Sequence, residues 1–318
     1  MRAGIVGVCS FAAMHMMHMA CSKTSVTHEA SIARGAGALR EQGRQMVANI
    51  GLATPESVEY YAAEDVYLVT NINGSPLAAD GNGFISKIRP DGTVVALKWI
   101  DGAAEGVTLH APKGAAVVGE TLYVADLQQV HLFALPSGAP KATVTIPNST
   151  FLNGMAPGHG DFVYVTDSGL TQGEGGFAPS GTDAVYKVGA DGTFTTVATG
   201  QDFGRPNGIV AMGDGVAVVS FGSGEVFSLN AEGQRTDLGA PPAGGLDGLL
   251  AFDEGMLVMS SWNGSALYVR SAAGEYTTLA TGLDAPADLG FDSKRRRVLV
   301  PLFNQDALAF VSLNGAED

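Results

Sequence analysis

The sequence has almost no cysteine: Cys9 and Cys21 are the only two in 318 residues, and both lie near the N-terminus. No disulfide can staple the main body, and it has neither a thiol nucleophile nor a thiolate metal site. Cations are also scarce, with 18 Lys and Arg against 32 Asp and Glu and a net charge of −14. A field of that sign repels nucleic acid and anionic membrane surfaces. Charged residues make up only 16% of the chain, which disfavours long solvent-exposed helices. There is no Gly-x-Ser-x-Gly elbow, so covalent serine chemistry has little support. What the chain has in abundance is glycine, 43 residues, together with 46% apolar residues. That composition excludes disorder and points to many short strands joined by tight turns around a large core.

Residues 1–21 carry one cation, Arg2, then an apolar stretch, then small residues ending in Ala20-Cys21-Ser22. This is the layout of an export signal, too short and interrupted for a membrane span. Cys21 resembles the acylated cysteine of bacterial lipoprotein signals, with His18 where Leu is usual; ordinary cleavage is the alternative. The expected location is therefore outside the cytoplasm, either periplasmic or anchored to the membrane through lipid on Cys21. Residues 22–44 read as a tether. Residues 1–50 hold five Lys and Arg and two Glu, so the acidity, −17, belongs to residues 51–318.

One pattern recurs six times: a loop, a polar lead residue usually followed by Gly, a turn, then a strongly β-like run. The lead residues are Glu56, Lys113, Asn153, Asn207, Asp247 and Asp288, at intervals of 57, 40, 54, 40 and 41 residues. A period near 40 fits a four-stranded propeller blade. Gly-rich insertions at 73–83 and 168–182 account for the two long intervals, and the second of them, without strand pattern, suits a lid. Asp91-Gly92 and Asp191-Gly192 mark hairpin turns within blades. The expected fold is all-β: a six-bladed β-propeller over 45–318, four antiparallel strands per blade. The C-terminal blade has only three strands, and Gln45–Ile50 is expected to complete it, closing the ring and removing a bare sheet edge.

In a propeller the lead residues converge on one mouth of the central channel. Asn-Gly and Asp-Gly are ordinary turn formers, but six polar residues at equivalent positions point to a site. Five of them offer oxygen ligands, with no cysteine and no facing histidine cluster. That donor set suits Ca²⁺, or another hard divalent cation, better than Zn²⁺. Glu56, Asp247 and Asp288 carry −3 and Lys113 +1, leaving −2 to match one Ca²⁺.

On these residues the chain from about 45 to 318 resembles the six-bladed propellers of the senescence-marker protein and gluconolactonase family, with their relatives the paraoxonases and diisopropyl-fluorophosphatase. The resemblance implies a catalytic divalent cation held by Glu56 in Pro-Glu-Ser, Asn153 in Leu-Asn-Gly, Asn207 in Pro-Asn-Gly and Asp247 in Leu-Asp-Gly. The sequence departs from the family in Lys113 and in having no histidine pair like that of the paraoxonases. Lys113 either binds an anionic substrate group or pairs with Asp126 or Asp288.

The ends of the second strands place Asn71, Asp126, Asp167, Phe221, Trp262 and Phe303 around the same mouth, an apolar wall over a polar floor. The leading expectation is a Ca²⁺-dependent hydrolase of a small lactone, ester or similar electrophile, with Asp247 or Asp288 as general base and Lys113 beside them. Its partner would be a small-molecule substrate. The alternative is a non-catalytic surface propeller that binds a ligand or protein and holds a structural metal.

Overall fold

A computed structural model describes residues 39–252 and 255–314. The stretch read as an export signal, Cys21 and most of the stretch read as a tether lie outside the described residues. Contacts divide the chain into 1–33 and 34–318, and the described residues all belong to the second unit.

These residues form six four-stranded antiparallel sheets, one per blade. The innermost strands of the first five blades are Pro55–Tyr61, Pro112–Val118, Leu152–Pro157, Pro206–Met212 and Leu246–Phe252, each opening with a lead residue in second place. In the sixth blade the inner strand is reduced to Gly290–Asp292, just after Asp288. Glu41–Val47 supplies the outermost strand of that blade, pairing antiparallel with Ala307–Leu313. The ring is thus closed by an N-terminal strand, but one that begins at Glu41 and ends at Val47 rather than spanning 45–50. An outermost strand has one face in water, so Glu41, Gln42, Arg44 and Gln45 are admitted there and blur the apolar signal. The insertion after Asp167 also differs from its reading as strandless: Leu170–Gly173 and Gly176–Pro179 form a separate two-stranded hairpin. Its Gly-rich turn and solvent-facing residues hid the alternation.

The core is a set of wedges between neighbouring blades. Residues along one second strand alternate between the two neighbours. Leu122 and Val124 pack with Leu68 and Ile85 of the first blade, while Tyr123 and Ala125 pack with Val163 and Val165 of the third. Because both faces are covered, these strands read as unbroken apolar runs. The wedge between the last and first blades adds polar stitching. Tyr67 packs edge-on to Phe310 at 5.1 Å and donates to Asp292, and Arg295 pairs with Asp65 at 2.7 Å.

At the axis the blades touch backbone to backbone. A Cβ on Gly114 would lie 2.4 Å from Asn153 O, one on Gly154 2.3 Å from Asn207 O, and one on Gly208 2.3 Å from Asp247 O. These glycines follow the lead residues because no side chain fits between adjacent inner strands, not because a turn is needed. In every one of the first five blades the ladder register shifts between the residue before the lead and the second residue after the lead, as between Leu152 and Met155. Such bulges re-aim side chains.

Removing residues 1–47 strips Ala307–Leu313 of its ladder partner and Val47 from the core. The melting temperature should fall by about 5 °C or more, and calorimetry with sedimentation should show self-association through the bared edge. An unchanged monomer would show that the closure is dispensable.

Candidate active site

All six lead residues are buried, none more than 5% exposed. Five of them, Glu56, Lys113, Asn153, Asn207 and Asp247, line a single pocket of about 360 Å³. Its upper wall is aromatic. Trp262 packs edge-on against Phe221 at 5.3 Å and tilted against Phe303 at 5.0 Å. Opposite them Phe151 meets Phe177 edge-on at 6.1 Å, with Phe177 and Leu170 coming from the inserted hairpin. The sixth lead residue, Asp288, is not on the pocket wall. Its Oδ2 accepts from Ser57 Oγ at 3.0 Å and its Oδ1 from the Leu289 N–H at 3.0 Å, while its own N–H donates to Glu56 O.

Three expected pocket residues are placed elsewhere. Asn71, Asp126 and Asp167 are no more than 1% exposed and serve the backbone. Asp126 accepts from the His110 and Ala111 N–H groups at 2.6 and 2.8 Å, Asp167 from those of Thr150 and Phe151, and Asn71 from that of Ala53. Each pins the loop that enters its blade's inner strand. The register explains the difference. Asn71, Asp126 and Asp167 pair with the residue before the lead, as Ser220 and Ser261 do, whereas Phe221 and Trp262 come one position later; in the sixth blade Phe303 follows Leu302, which pairs with Pro286. One residue along a strand turns the side chain to the other side. The same later position holds Ile72 and Ser168, and both do line the pocket. Aligning the repeats on it would have found them. Phe151 and Arg205 share a repeat position, two residues before the lead, but no common residue type marks it; Leu170 and Phe177 lie in the insertion, outside the repeat.

Four oxygens at the floor have no hydrogen-bond partner although fully buried: Glu56 Oε2, Asn153 Oδ1, Asn207 Oδ1 and Asp247 Oδ1. Burial pushes the Glu56 carboxyl well above the usual range, helped by the charges of Asp247 and Asp288 and opposed by Lys113. Asp247 is raised by burial and then by Asp288, against the Trp262 indole and Asn207 amide that face it. Burial takes Asp288 up to about 7 despite its bonds from Ser57 and Leu289. Orphaned, mutually repelling oxygens are the mark of a site missing a positive partner. No group of three His, Cys, Asp or Glu that could hold a metal occurs among the described residues, so a cation here would depend on the two amides as much as on the two carboxylates. The set is oxygen only, and it fits a hard divalent ion.

Lys113 is 1% exposed. Its Nζ donates to Ala111 O at 3.0 Å and sits 4.3 Å from the Phe151 ring centre. Lys113 pairs with neither Asp126 nor Asp288: Asp126 accepts from backbone N–H groups and lies 3.4 Å from the His131 ring, and Asp288 accepts from Ser57 and the Leu289 N–H. Burial draws the ammonium down to about 8, against the pull of Asp126, Glu56 and Asp167.

No protein-family model and no curated protein matches the sequence. Solved structures do. The chain is similar to a gluconolactonase from Xanthomonas campestris at 18% identity and TM-score 0.68, over 86% of this chain and 91% of that one. A putative gluconolactonase is 16% identical with TM-score 0.65, over 90% and 99%. Virginiamycin B lyase from Staphylococcus aureus is 13% identical with TM-score 0.60, over 86% and 99%. The chain has the six-bladed propeller fold that these proteins share.

The buried acids carry a pH consequence. Asp288 holds its proton up to about 7, against 3.8 in the unfolded chain, so its contribution to stability is complete below 3.8 and is lost as the pH rises through 7. Chelator-treated protein should therefore melt at progressively lower temperature between pH 4 and 7.5. Asp288→Asn should flatten that slope; an identical slope in the variant would assign the effect elsewhere.

Proposed function

We propose that the protein is a divalent-cation-dependent hydrolase of small lactones or esters, working outside the cytoplasm. The observation that carries this reading is the ring of four buried, partnerless oxygens beneath an aromatic-walled pocket. The gluconolactonase among the structural neighbours supports the reaction class. Glu56, Asn153, Asn207 and Asp247 are the residues that would hold the cation, Ca²⁺ by the hardness of the donor set. When bound, such an ion polarises a carbonyl oxygen as a Lewis acid. The layout of residues 1–21 is the basis for export, with Cys21 as the residue that would carry a lipid anchor.

The chain's own residues do the rest. The wall of Phe221, Trp262 and Phe303 holds the apolar body of the substrate and keeps bulk water out. Lys113, still charged at neutral pH, faces the negative charge that grows on the carbonyl oxygen. Asp247 takes a proton from the attacking water as the oxygen of that water bonds to the carbonyl carbon. Asp288 lies behind it, and its charge makes Asp247 a better proton acceptor. The bond to the leaving oxygen breaks, and the proton passes from Asp247 to that oxygen. Acid and alcohol, or the opened hydroxy acid, leave.

A panel of lactones and aryl esters, run with chelator and with Ca²⁺ restored, tests this reading. Turnover should disappear with chelator and return with Ca²⁺ but not Zn²⁺, and Ca²⁺ should raise the melting temperature. Asp247→Asn and Lys113→Met should each lower kcat/KM by about 100-fold or more while the proteins stay folded. A Ca²⁺-dependent rise in melting temperature without turnover of any compound would instead favour a binding propeller with a structural cation.

A further inference from the structure

We infer that this pocket selects substrates carrying a carboxylate, and that Arg205 is the residue that reads it. The inference rests on the proposed function for the reacting bond and adds the class of substrate.

Arg205 lines the 360 Å³ pocket and also an adjoining groove of about 650 Å³. It is the residue the two cavities share. The groove is more polar than the pocket, bordered by Ser180, Asp183, Gln201 and Ser223. Arg205 therefore stands half-buried where the apolar pocket opens into hydroxyl and amide groups.

The backbone here follows the repeat: Arg205 has φ of 64°, and Thr54, Gly245 and Ala285 take the same left-handed turn, each with its carbonyl accepting an N–H from the matching pocket-side position. Asp183 Oδ2 accepts the Arg205 backbone N–H at 2.7 Å, and the Arg205 carbonyl accepts the Phe221 N–H at 2.9 Å. Gly222 leaves room for the stem: a Cβ there would come within 2.9 Å of Arg205 Cδ. The Asp183 carboxylate is bonded to the main chain and also feels the charge of Arg205. The guanidinium itself makes no hydrogen bond or ion pair among the described residues, in a chain that has 32 acidic residues to offer. A cation held in place by packing, with its donors unpaired, is a binding group for an anion that can meet its fork directly.

The guanidinium fork matches a planar two-oxygen acceptor. One such group balances a monoanion, which favours a carboxylate over a phosphate dianion. Lys113 is the other cation of the pocket, but it lies on the buried floor against Phe151 and Ala111 O. The substrate that fits is therefore amphipathic: an ester or lactone carbonyl at the floor, an apolar body against Trp262 and Phe221, and a carboxylate at the rim on Arg205.

The probe pair is 4-phenylbutyrate and its amide, 4-phenylbutyramide, which share shape but not charge. Binding is read by calorimetry and by tryptophan fluorescence, since Trp262 is in the wall. The carboxylate should bind about tenfold tighter than the amide. Arg205→Met should erase that preference while leaving the amide's affinity unchanged. Arg205→Gly, which suits the left-handed backbone, should do the same and guards against misfolding of the first variant. Equal binding of the two probes to the parent protein, or a preference that survives both substitutions, would overturn the inference. Turnover is then measured on an aryl monoester of a dicarboxylic acid and on a neutral aryl ester. Selective carboxylate binding with no hydrolysis of either keeps Arg205 as the reader and sinks the hydrolase reading. Hydrolysis of both with the same kcat/KM, unaltered by Arg205→Met, does the reverse.

Discussion

At Gly114, Gly154, Gly208 and Gly248 the inner strands of neighbouring blades approach so closely at the axis that nothing larger than hydrogen fits between them. Gly114, Gly154 and Gly208 each face the carbonyl of the next blade's lead residue, and Gly290 faces that of Val58 across the closure. The contact goes with the convergence of the first five lead side chains on one pocket. It also explains the local bulge, because a lead residue in regular register would point along its blade rather than toward the axis. Where the first blade has Ser57 in place of glycine, its hydroxyl reaches Asp288, so the closing blade is tied to the first by a hydrogen bond as well as by packing.

That constraint has an electrostatic cost. Bringing Glu56, Asp247 and Asp288 together out of water raises all three toward the protonated state. Backbone N–H donors offset this cost elsewhere to different degrees. They surround Asp126 and Asp167, which are equally buried; against the effect of burial, Asp126 is held below its ordinary range with help from His131 and Lys113, while burial still raises Asp167. The difference is one of partners: Glu56 and Asp247 each keep a buried oxygen without a hydrogen bond, whereas Asp126, Asp167 and Asp288 are bonded, and the unsatisfied pair is the one disposed for chemistry.

The pocket is uneven around its rim. Aromatic residues from the fourth, fifth and sixth blades form one side, and the hairpin inserted in the third blade supplies Leu170 and Phe177 on the other. Phe177 is 53% exposed, so the hairpin covers the mouth only partly. Polar groups are confined to the floor and, through Arg205, to the junction with the groove. An apolar ligand with polar groups at both ends is the shape such a distribution accommodates.

The repeat of polar lead residue, glycine and apolar run was enough to read six blades, their order, the N-terminal closure and the ring of Glu56, Lys113, Asn153, Asn207, Asp247 and Asp288, because strand period and blade spacing are local properties written in residue order. The aromatic wall followed from the same alignment. The tertiary structure decided what local order cannot carry. It showed that the glycines serve interblade contact rather than turns, and that Asn71, Asp126 and Asp167 face backbone while the next residue faces the pocket. It set Asp288 behind the wall and Lys113 on Ala111 and Phe151, and brought Phe151, Phe177 and Arg205, which no common residue type marks, to the same cavity. Each of these depends on which side of a strand a residue faces and which neighbouring blade it meets. A shift of one residue reverses the first, and residues 40 or more positions away determine the second.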